Sequence, residues 1–152
     1  MKSTILICLV GIFATLLIAL THAENVDFAL CTPPDQTPQP YEITSLDMNP
    51  ASPHPGDTVE ITITGTAHNG TTGGSLTSEI SKGGIKLFTF TYDLCESAVG
   101  GCPIAAGPCK IVLHQSTPRF AFPGEYQAVN HAADSDGKPL SCAEFKFNVV
   151  KA

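Results

Sequence analysis

The chain has 152 residues, of which 43% are apolar and only 14% are charged, so it is long enough to form one domain with a sizeable core. Its 8 basic and 14 acidic residues give a net charge of −6, which argues against a nucleic-acid-binding protein, because such proteins use a basic surface to neutralise phosphates. The 13 glycines, 12 prolines and 7% aromatic residues favour a turn-rich β protein over a helical bundle or a disordered chain.

The chain begins with the pattern of a secretory signal peptide. Lys2 provides the positive start, residues 5–20 form an apolar run, and Ala23 is the small residue after which signal peptidase cuts. The run of 16 residues is shorter than the ~20 that span a bilayer, so cleavage is favoured over an uncleaved anchor. We expect a signal peptide at 1–23 and a mature domain at 24–152, secreted or in the endolysosomal lumen. Without Lys2 the mature chain keeps 7 basic and 14 acidic residues, a net charge of −7.

Seven or eight short strands are predicted along the mature chain. The clearest is 57–66, where Val59, Ile61 and Ile63 alternate with polar residues as in a half-buried strand. In chain order the predicted strands are 26–30, 42–48, 57–66, 76–80, 85–94, 111–113, 125–131 and 143–150. Turn-forming residues separate them, and the sequence shows no helical periodicity and no internal repeat. The pattern predicts an all-β domain, built as an antiparallel sandwich or barrel.

Five cysteines remain after the signal peptide, and in an oxidising compartment they are expected to form disulfides. They are Cys31, Cys95, Cys102, Cys109 and Cys142. Because five is odd, at most two bridges form within one chain and one thiol is left over. The even spacing of Cys95, Cys102 and Cys109 could also indicate a metal site completed by His114 or His131. Structural zinc sites have closer steps of about two to four residues, so we predict no metal site.

Motifs of known enzymes are missing from the sequence. It has no nucleophile elbow, phosphate-binding loop or dinucleotide fingerprint. Cys109, with Lys110 and His114 nearby, could be an activated thiol, but most leftover cysteines are buried and inert. We therefore predict neither an enzyme nor a bound cofactor. Asn69, followed by Gly70 and Thr71, forms a sequon in a turn and is the predicted glycosylation site.

Aromatic residues are concentrated on the predicted inner faces of the strands. The set is Phe88, Phe90, Tyr92, Tyr126, Phe145 and Phe147. Two further rings, Phe120 and Phe122, flank Ala121 in a loop that ends at Pro123-Gly124. Two interpretations of the inner set remain open: the rings fill an ordinary core, or two sheets stand apart and line an apolar cavity.

An ordered set of short motifs covers nearly the whole mature chain. It consists of Cys31, Pro55-Gly56-Asp57 before the strand of Val59, Gly73-Gly74, Asp93-Leu94-Cys95, Cys102-Pro103-Ile104, Pro123-Gly124-Glu125-Tyr126 and Gly137-Lys138-Pro139-Leu140-Ser141-Cys142. With these motifs in this order, the sequence resembles the ML lipid-recognition domain family. It is most similar to the branch of phosphatidylglycerol/phosphatidylinositol transfer proteins, and it is also similar to the Niemann–Pick type C sterol carriers.

The resemblance implies an immunoglobulin-like β-sandwich of two antiparallel sheets with an apolar cavity between them. It also implies the disulfide pairs Cys31–Cys142 and Cys95–Cys102. Cys109 has no partner in the family pattern, which leaves a Cys102–Cys109 bridge as an alternative. The third bridge of the animal sterol carriers is absent, and Phe28 stands where this branch often has a Trp. These departures weaken a sterol assignment more than they weaken the fold.

The resemblance further implies a monomeric lipid carrier that contacts membranes transiently and transfers phosphatidylglycerol or phosphatidylinositol between them. The alternatives are a sterol carrier and an immunoglobulin-like adhesion or sensing module that does not transfer lipid. The predicted cavity residues are Val59, Ile61, Ile63, Phe88, Phe90, Tyr92, Tyr126, Phe145 and Phe147. The predicted residues at the mouth of the cavity are Phe120 and Phe122, as an apolar rim, and Lys82, Lys86, Lys110 and Arg119, as cations for an anionic head group.

Overall fold

Two antiparallel sheets with nine strands form the part of the chain that the computed structural model describes, residues 23–31 and 38–151. In chain order the elements are β1 (Glu24–Asn25), β2 (Phe28–Leu30), β3 (Tyr41–Asn49), β4 (Thr58–Ala67), β5 (Gly74–Lys82), β6 (Ile85–Asp93), α1 (Leu94–Ser97), β7 (Gly107–Ser116), β8 (Gly124–Asp134) and β9 (Pro139–Val149). One sheet has the strand order β1-β3-β4-β7 and the other β2-β9-β8-β5-β6. The fold is the predicted two-sheet β-sandwich. Of the predicted signal peptide, only Ala23 lies within the described residues.

The alternation of apolar and polar residues determines which side of each strand faces the other sheet. Val59, Ile61 and Ile63 on β4 are all less than 5% exposed, and β4 is paired with β3 and β7 in the interior of its sheet. In the facing sheet, the β8–β9 register brings Tyr126 opposite Phe147. The core therefore lies between the sheets and combines aliphatic side chains from one with aromatic side chains from the other.

The segment predicted as one strand at 26–30 is divided between the two sheets. β1 pairs with β3, whereas β2 pairs with β9, where Phe28 lies opposite Phe145. The Val26 amide still donates a hydrogen bond to the Leu46 carbonyl oxygen (2.8 Å), so the chain leaves the first sheet only after Val26. The prediction of a single strand here was wrong, because one continuous strand cannot join the edges of two facing sheets. This division raises the number of strands in the described residues to nine.

One helical turn follows β6, although the sequence pattern predicts no helix. The strand predicted at 85–94 ends at Asp93, and α1 begins at Leu94. The Asp93 carboxylate accepts hydrogen bonds from the backbone N–H of Cys95 (2.8 Å) and of Glu96 (3.1 Å), which caps the helix. With only four residues, α1 is too short to show a helical period in the sequence, and its Leu94 is buried.

Two disulfides are present in the structure. Cys31–Cys142 connects the end of β2 with β9 across a sequence separation of 111, and Cys95–Cys102 ties α1 to the loop before β7. The alternative Cys102–Cys109 bridge is not formed, and Cys109 keeps its thiol on β7. Burial raises the pKa of the Cys109 thiol above its ordinary value, which lowers the fraction of reactive thiolate at neutral pH. This environment is that of a structural cysteine.

Residues 23–31 and 38–151 contain neither a cluster of metal-ligating side chains nor a membrane-spanning helix. No three His, Cys, Asp or Glu side chains in these ranges are grouped as ligands of a metal ion would be. No helix in the same ranges is long and apolar enough to cross a membrane.

Candidate functional site

An apolar cavity lies between the sheets, at the end of the sandwich where β5 ends and β8 begins. Both sheets contribute aliphatic and aromatic side chains to its wall, and Gln115 and Thr117 add polar groups on the β7 side. The lining residues are Met48, Val59, Ile61, Ile80, Phe88, Phe90, Gln115, Thr117, Pro118, Ala121, Tyr126, Ala128, Phe145, Phe147 and Val149. They include seven of the nine residues predicted to line a cavity.

The cavity is narrow in this structure. About 460 Å³ between the lining residues is free of atoms when the open mouth is included, but the centre of a water-sized sphere reaches only about 20 Å³ of it. Pockets that bind small molecules have volumes of roughly 300–1,000 Å³. A long apolar ligand therefore fits only if lining side chains or whole strands move apart.

Aromatic contacts connect the wall of the cavity to its mouth. The Tyr126 ring stacks on Phe147 with a centroid distance of 5.6 Å, and Phe147 contacts Phe145 at 6.2 Å. The Tyr126 hydroxyl donates a hydrogen bond to the carbonyl oxygen of Phe122 (2.8 Å). A residue of the cavity wall thus holds the loop between β7 and β8 in position.

Two predicted cavity residues, Ile63 and Tyr92, are not part of this wall. Ile63 is buried on β4, beyond the cavity. The Tyr92 hydroxyl donates a hydrogen bond to the side-chain oxygen of Gln115 (3.2 Å) and so connects β6 of one sheet to β7 of the other. Burial raises the pKa of Tyr92 to about 12, so its hydroxyl keeps its proton and remains a donor at neutral pH.

Several lining residues were left out of the predicted set. Met48, Ile80, Ala128 and Val149 all occupy inward-facing positions on predicted strands and all line the cavity. The signal that could have found them is the same two-residue alternation that identified the aromatic residues. These residues were left out because the prediction took aliphatic side chains only from the strand of Val59 and took only aromatic rings from the other strands.

Exposed apolar side chains lie at the mouth of the cavity. Phe120 and Phe122, in the loop between β7 and β8, are 72% and 75% exposed. The Phe120 ring lies 6.1 Å from the ring of Phe88, a cavity residue, which places the loop at the mouth. Phe120 and Phe122 are called the apolar rim below; both were predicted at this position.

Of the predicted cations, Lys82 lies at the mouth of the cavity, and Arg119 precedes Phe120 in the loop between β7 and β8. The Lys82 amine donates a hydrogen bond to the Pro123 carbonyl oxygen (3.0 Å) and lies 4.4 Å from the centroid of the Tyr126 ring. Arg119 is exposed in the loop that carries Phe120. Lys82 therefore joins the hairpin of β5 and β6 to this loop and places a positive charge at the mouth.

The other two predicted cations, Lys86 and Lys110, do not face the mouth. Lys86 forms an ion pair with Glu79 (2.9 Å) on the outer face of its sheet, and its hydrogen bond holds the pKa of Glu79 below the ordinary value. Lys110 lies on the outer face of β7, next to the inward-facing Ile111, and six residues before the end of the strand at Ser116. This separation corresponds to about 20 Å along the strand. Lys86 is therefore not at the mouth because it is paired with Glu79 on the outer face, and Lys110 is not at the mouth because it is too far away.

A second, equally narrow apolar cavity lies at the opposite end of the interior. Its lining residues are Pro40, Tyr41, Ala67, Asn69, Thr71, Leu94, Ile104, Cys109, Ile111, Ala132 and Leu140. Asn69, the predicted glycosylation site, is exposed at this end. A glycan on Asn69 would leave the mouth of the first cavity and the apolar rim uncovered.

Comparisons with known proteins extend the resemblance found in the sequence. The family model described as ML domain (E1_DerP2_DerF2) matches residues 25–149. A phosphatidylglycerol/phosphatidylinositol transfer protein from Aspergillus oryzae is 31% identical over 105 residues, which cover 66% of this chain and 60% of that relative. The chain thus spans less than two thirds of the length of this relative.

Two solved structures share the fold at low sequence identity. A Niemann–Pick type C2 protein from the Japanese carpenter ant aligns with a TM-score of 0.65 and 9% identity, over 82% of this chain and 99% of that one. Chicken MD-1, solved in complex with lipid IVa, aligns with a TM-score of 0.52 and 12% identity, over 85% of this chain and 99% of that one. Since the family model covers nearly all of the described strands and the two sheets have the matching arrangement, the chain belongs to the ML domain family.

Proposed function

We propose that the protein binds a lipid with its apolar chains between the two sheets and transfers phosphatidylglycerol or phosphatidylinositol between membranes. The observation that carries this proposal is the position of the apolar rim at the mouth of an apolar cavity, with Lys82 at the same mouth and Arg119 preceding Phe120 in the loop. The name of the Aspergillus oryzae relative supports the class of lipid. We place the mature domain, residues 24–152, outside the cell or in the endolysosomal lumen, where two disulfides persist, and propose that it acts as a monomer.

The energetics of burial explain why such a carrier is needed. Each methylene removed from water is worth ~0.8 kcal/mol, so a long acyl chain is worth on the order of 10 kcal/mol. A lipid therefore does not leave a bilayer for water at a useful rate. Transfer from a bilayer to an apolar cavity moves the chain between two apolar surroundings, so its free energy is nearly balanced and transfer runs in both directions. The carrier then has to lower only the barrier at the membrane surface.

Loading requires the mouth of the cavity to widen, because its present free space is far below the volume of a lipid chain. Two hydrogen bonds join the parts that have to separate. Lys82 connects the hairpin of β5 and β6 to the carbonyl oxygen of Pro123, and Tyr92 connects the two sheets through Gln115. We propose that contact of the apolar rim with a membrane favours the open mouth, since the rim side chains are then buried in lipid.

Lipid that stays with the protein during purification tests the proposal directly. Purified without detergent, the secreted protein should release one phospholipid molecule per chain, which mass spectrometry of an organic extract identifies. A sterol in its place would support the alternative ligand class. A lipid-free protein with a normal unfolding transition would contradict the carrier and support a module with a filled core. The exposed position of Phe120 and Phe122 at the mouth speaks against such a module.

Replacing Phe90 by aspartate should reduce the lipid content at least tenfold, because an unpaired carboxylate in an apolar wall costs several kcal/mol unless water reaches it. Thr89→Asp is the matched control, since it places the same charge on the adjacent, exposed position of β6. Mass spectrometry of both secreted variants gives the lipid content. Equal amounts of lipid in the two would contradict the cavity as the binding site.

Transfer should become several-fold faster as the pH falls from neutral to about 5. The mature chain carries a net charge of −7 at neutral pH, and this net negative charge decreases as the pH falls. The weaker negative charge reduces repulsion from an anionic membrane. A liposome assay with anionic vesicles measures the effect, and about 1 M salt, which screens charges beyond ~3 Å, should remove it. A flat or opposite pH dependence would contradict this electrostatic control.

A further inference from the structure

Two buried polar side chains without hydrogen-bond partners lie between the sheets, at the next inward-facing strand positions beyond Ile80 and Ala128 of the mouth cavity. Ser78 on β5 and Asn130 on β8 are 0% and 3% exposed and lie opposite each other in the strand register. The Ser78 hydroxyl and both polar atoms of the Asn130 amide find no hydrogen-bond partner within residues 23–31 and 38–151. Buried polar groups are almost always paired, because burial removes water without replacing its hydrogen bonds. Two adjacent buried side chains without hydrogen bonds indicate a hydrogen-bond partner that comes from outside the chain.

The pair is placed between the two cavities of the interior. The neighbouring inward-facing positions on β8 are Ala128, which lines the mouth cavity, and Ala132, which lines the second cavity. Ala143 on β9 lies opposite Asn130 and is fully buried. Neither Ser78 nor Asn130 lines a cavity in this structure, so a ligand reaches the Asn130 amide only by extending the mouth cavity past Ala128, which has the smallest apolar side chain.

We infer that Ser78 and Asn130 bind a hydroxyl group carried within the apolar part of the ligand. This inference rests on the proposed function and specifies the ligand of the same cavity. A hydroxyl donates and accepts hydrogen bonds, as both side chains also do, so it can pair with the two of them together. A charged group does not fit, because no side chain that is buried within the described ranges carries a charge.

The depth of the pair sets the position of the hydroxyl on the ligand. Four residues of β8 separate Tyr126, at the level of the Lys82 amine, from Asn130, which corresponds to about 13 Å. With C–C bonds of about 1.5 Å in a zigzag, an extended chain covers this distance with roughly ten carbons. A chain whose polar end stays beside Lys82 therefore brings a hydroxyl on its tenth carbon to the level of Asn130.

Displacement of a fluorescent fatty acid from the purified secreted protein tests this inference. The competitors are octadecanoic acid, 2-hydroxyoctadecanoic acid and 10-hydroxyoctadecanoic acid, which have equal chain length and differ only in the hydroxyl. We expect the 10-hydroxy acid to bind about tenfold more tightly than the other two, the effect of one or two added hydrogen bonds. Cholesterol and 5α-cholestane, which lacks the hydroxyl, form a second pair. If the hydroxyl raises the affinity of the fatty acids, it belongs to an acyl chain. If it raises the affinity of the sterol, it belongs to a sterol.

The variant S78A/N130L removes both polar groups and keeps the branched side chain of four heavy atoms at position 130. It should lose the preference for the hydroxylated ligand while binding octadecanoic acid at least as tightly as the wild type. Its melting temperature should be unchanged or higher, because apolar groups replace unpaired polar ones. S78A alone should lose part of the preference, which keeps the test decisive if the double variant does not fold. T77V, on the outer face of the same strand, is the matched control and should keep the preference.

The possible results separate this inference from the proposed function. The inference would be overturned if hydroxylated and non-hydroxylated ligands bound with equal affinity among both the fatty acids and the sterols. It would also be overturned if S78A/N130L kept the preference for the hydroxylated ligand. Either result would leave the carrier function standing. Failure of every competitor to displace the probe, together with the absence of co-purified lipid, would overturn both.

Discussion

Replacing both Phe120 and Phe122 by aspartate is expected to slow lipid transfer between vesicles about 100-fold while leaving the fold and the bound lipid unchanged. Burial of a phenylalanine in apolar surroundings is worth about 1.5–3 kcal/mol, so two rings account for a change of this size even when they enter the membrane only in part. Two aspartates are in addition repelled by anionic lipid. Because the rings are 72% and 75% exposed, their removal costs little packing inside the protein.

The rate of dequenching of a fluorescent phosphatidylglycerol, moved from donor to acceptor vesicles, measures this effect. Val99→Asp is the matched control, because Val99 is 64% exposed and follows α1 at the far end of the sandwich, where its amide donates to the Lys110 carbonyl oxygen. Its transfer rate should stay close to that of the wild type. A loss of equal size in both proteins, or no loss in F120D/F122D, would argue against docking through the apolar rim.

Replacing Cys31 and Cys142 together by serine is expected to lower the free energy of unfolding by about 4–5 kcal/mol. The bridge joins residues separated by 111 positions, and in the chain-entropy model the stabilisation grows with the length of the closed loop. A domain of this size is stabilised by only about 5–15 kcal/mol in total, so this loss is a large part of its stability. It also removes the covalent link between the end of β2 and β9, at the edge of the five-stranded sheet.

Urea unfolding of the purified variants, followed by circular dichroism, gives the comparison. C95S/C102S is the internal control, because that bridge spans a sequence separation of 7 and the same model assigns it only about 2 kcal/mol. The ratio of the two losses tests the loop-length argument without relying on either absolute value. Equal losses would show that local contacts of the bridges, rather than the length of the loops, determine their contribution.

The strands and the cavity wall could be predicted because their signal is local. Val59, Ile61 and Ile63 alternate with polar residues, and this period of two is enough to place them on one face of a strand. The same alternation puts Phe88 and Phe90 on the inner face of β6, where they line the cavity. The two disulfide pairs were implied by the family resemblance, since five cysteines alone allow several pairings.

Predictions that depended on contacts between distant segments were less accurate. Lys86 and Lys110 were grouped with Lys82 at the mouth because all three are basic, but their side chains face outward, and Lys86 is paired with Glu79. The division of 26–30 between two sheets depends on which edge strands are nearby, and the sequence of that segment carries no signal for it. Charge and composition alone do not specify which side of a sheet a side chain faces.

The amino-acid sequence by itself determined the all-β architecture, the inward-facing residues of the central strands and the membership of Phe120 and Phe122 in a loop, because alternation and turn residues act over a few neighbouring positions. Only the tertiary structure decided that the Phe120 ring lies against Phe88 at the mouth of the cavity, and that Ser78 and Asn130 meet unpaired in the interior. These arrangements depend on strand register and on the packing of two sheets, which bring together residues that are far apart in the chain.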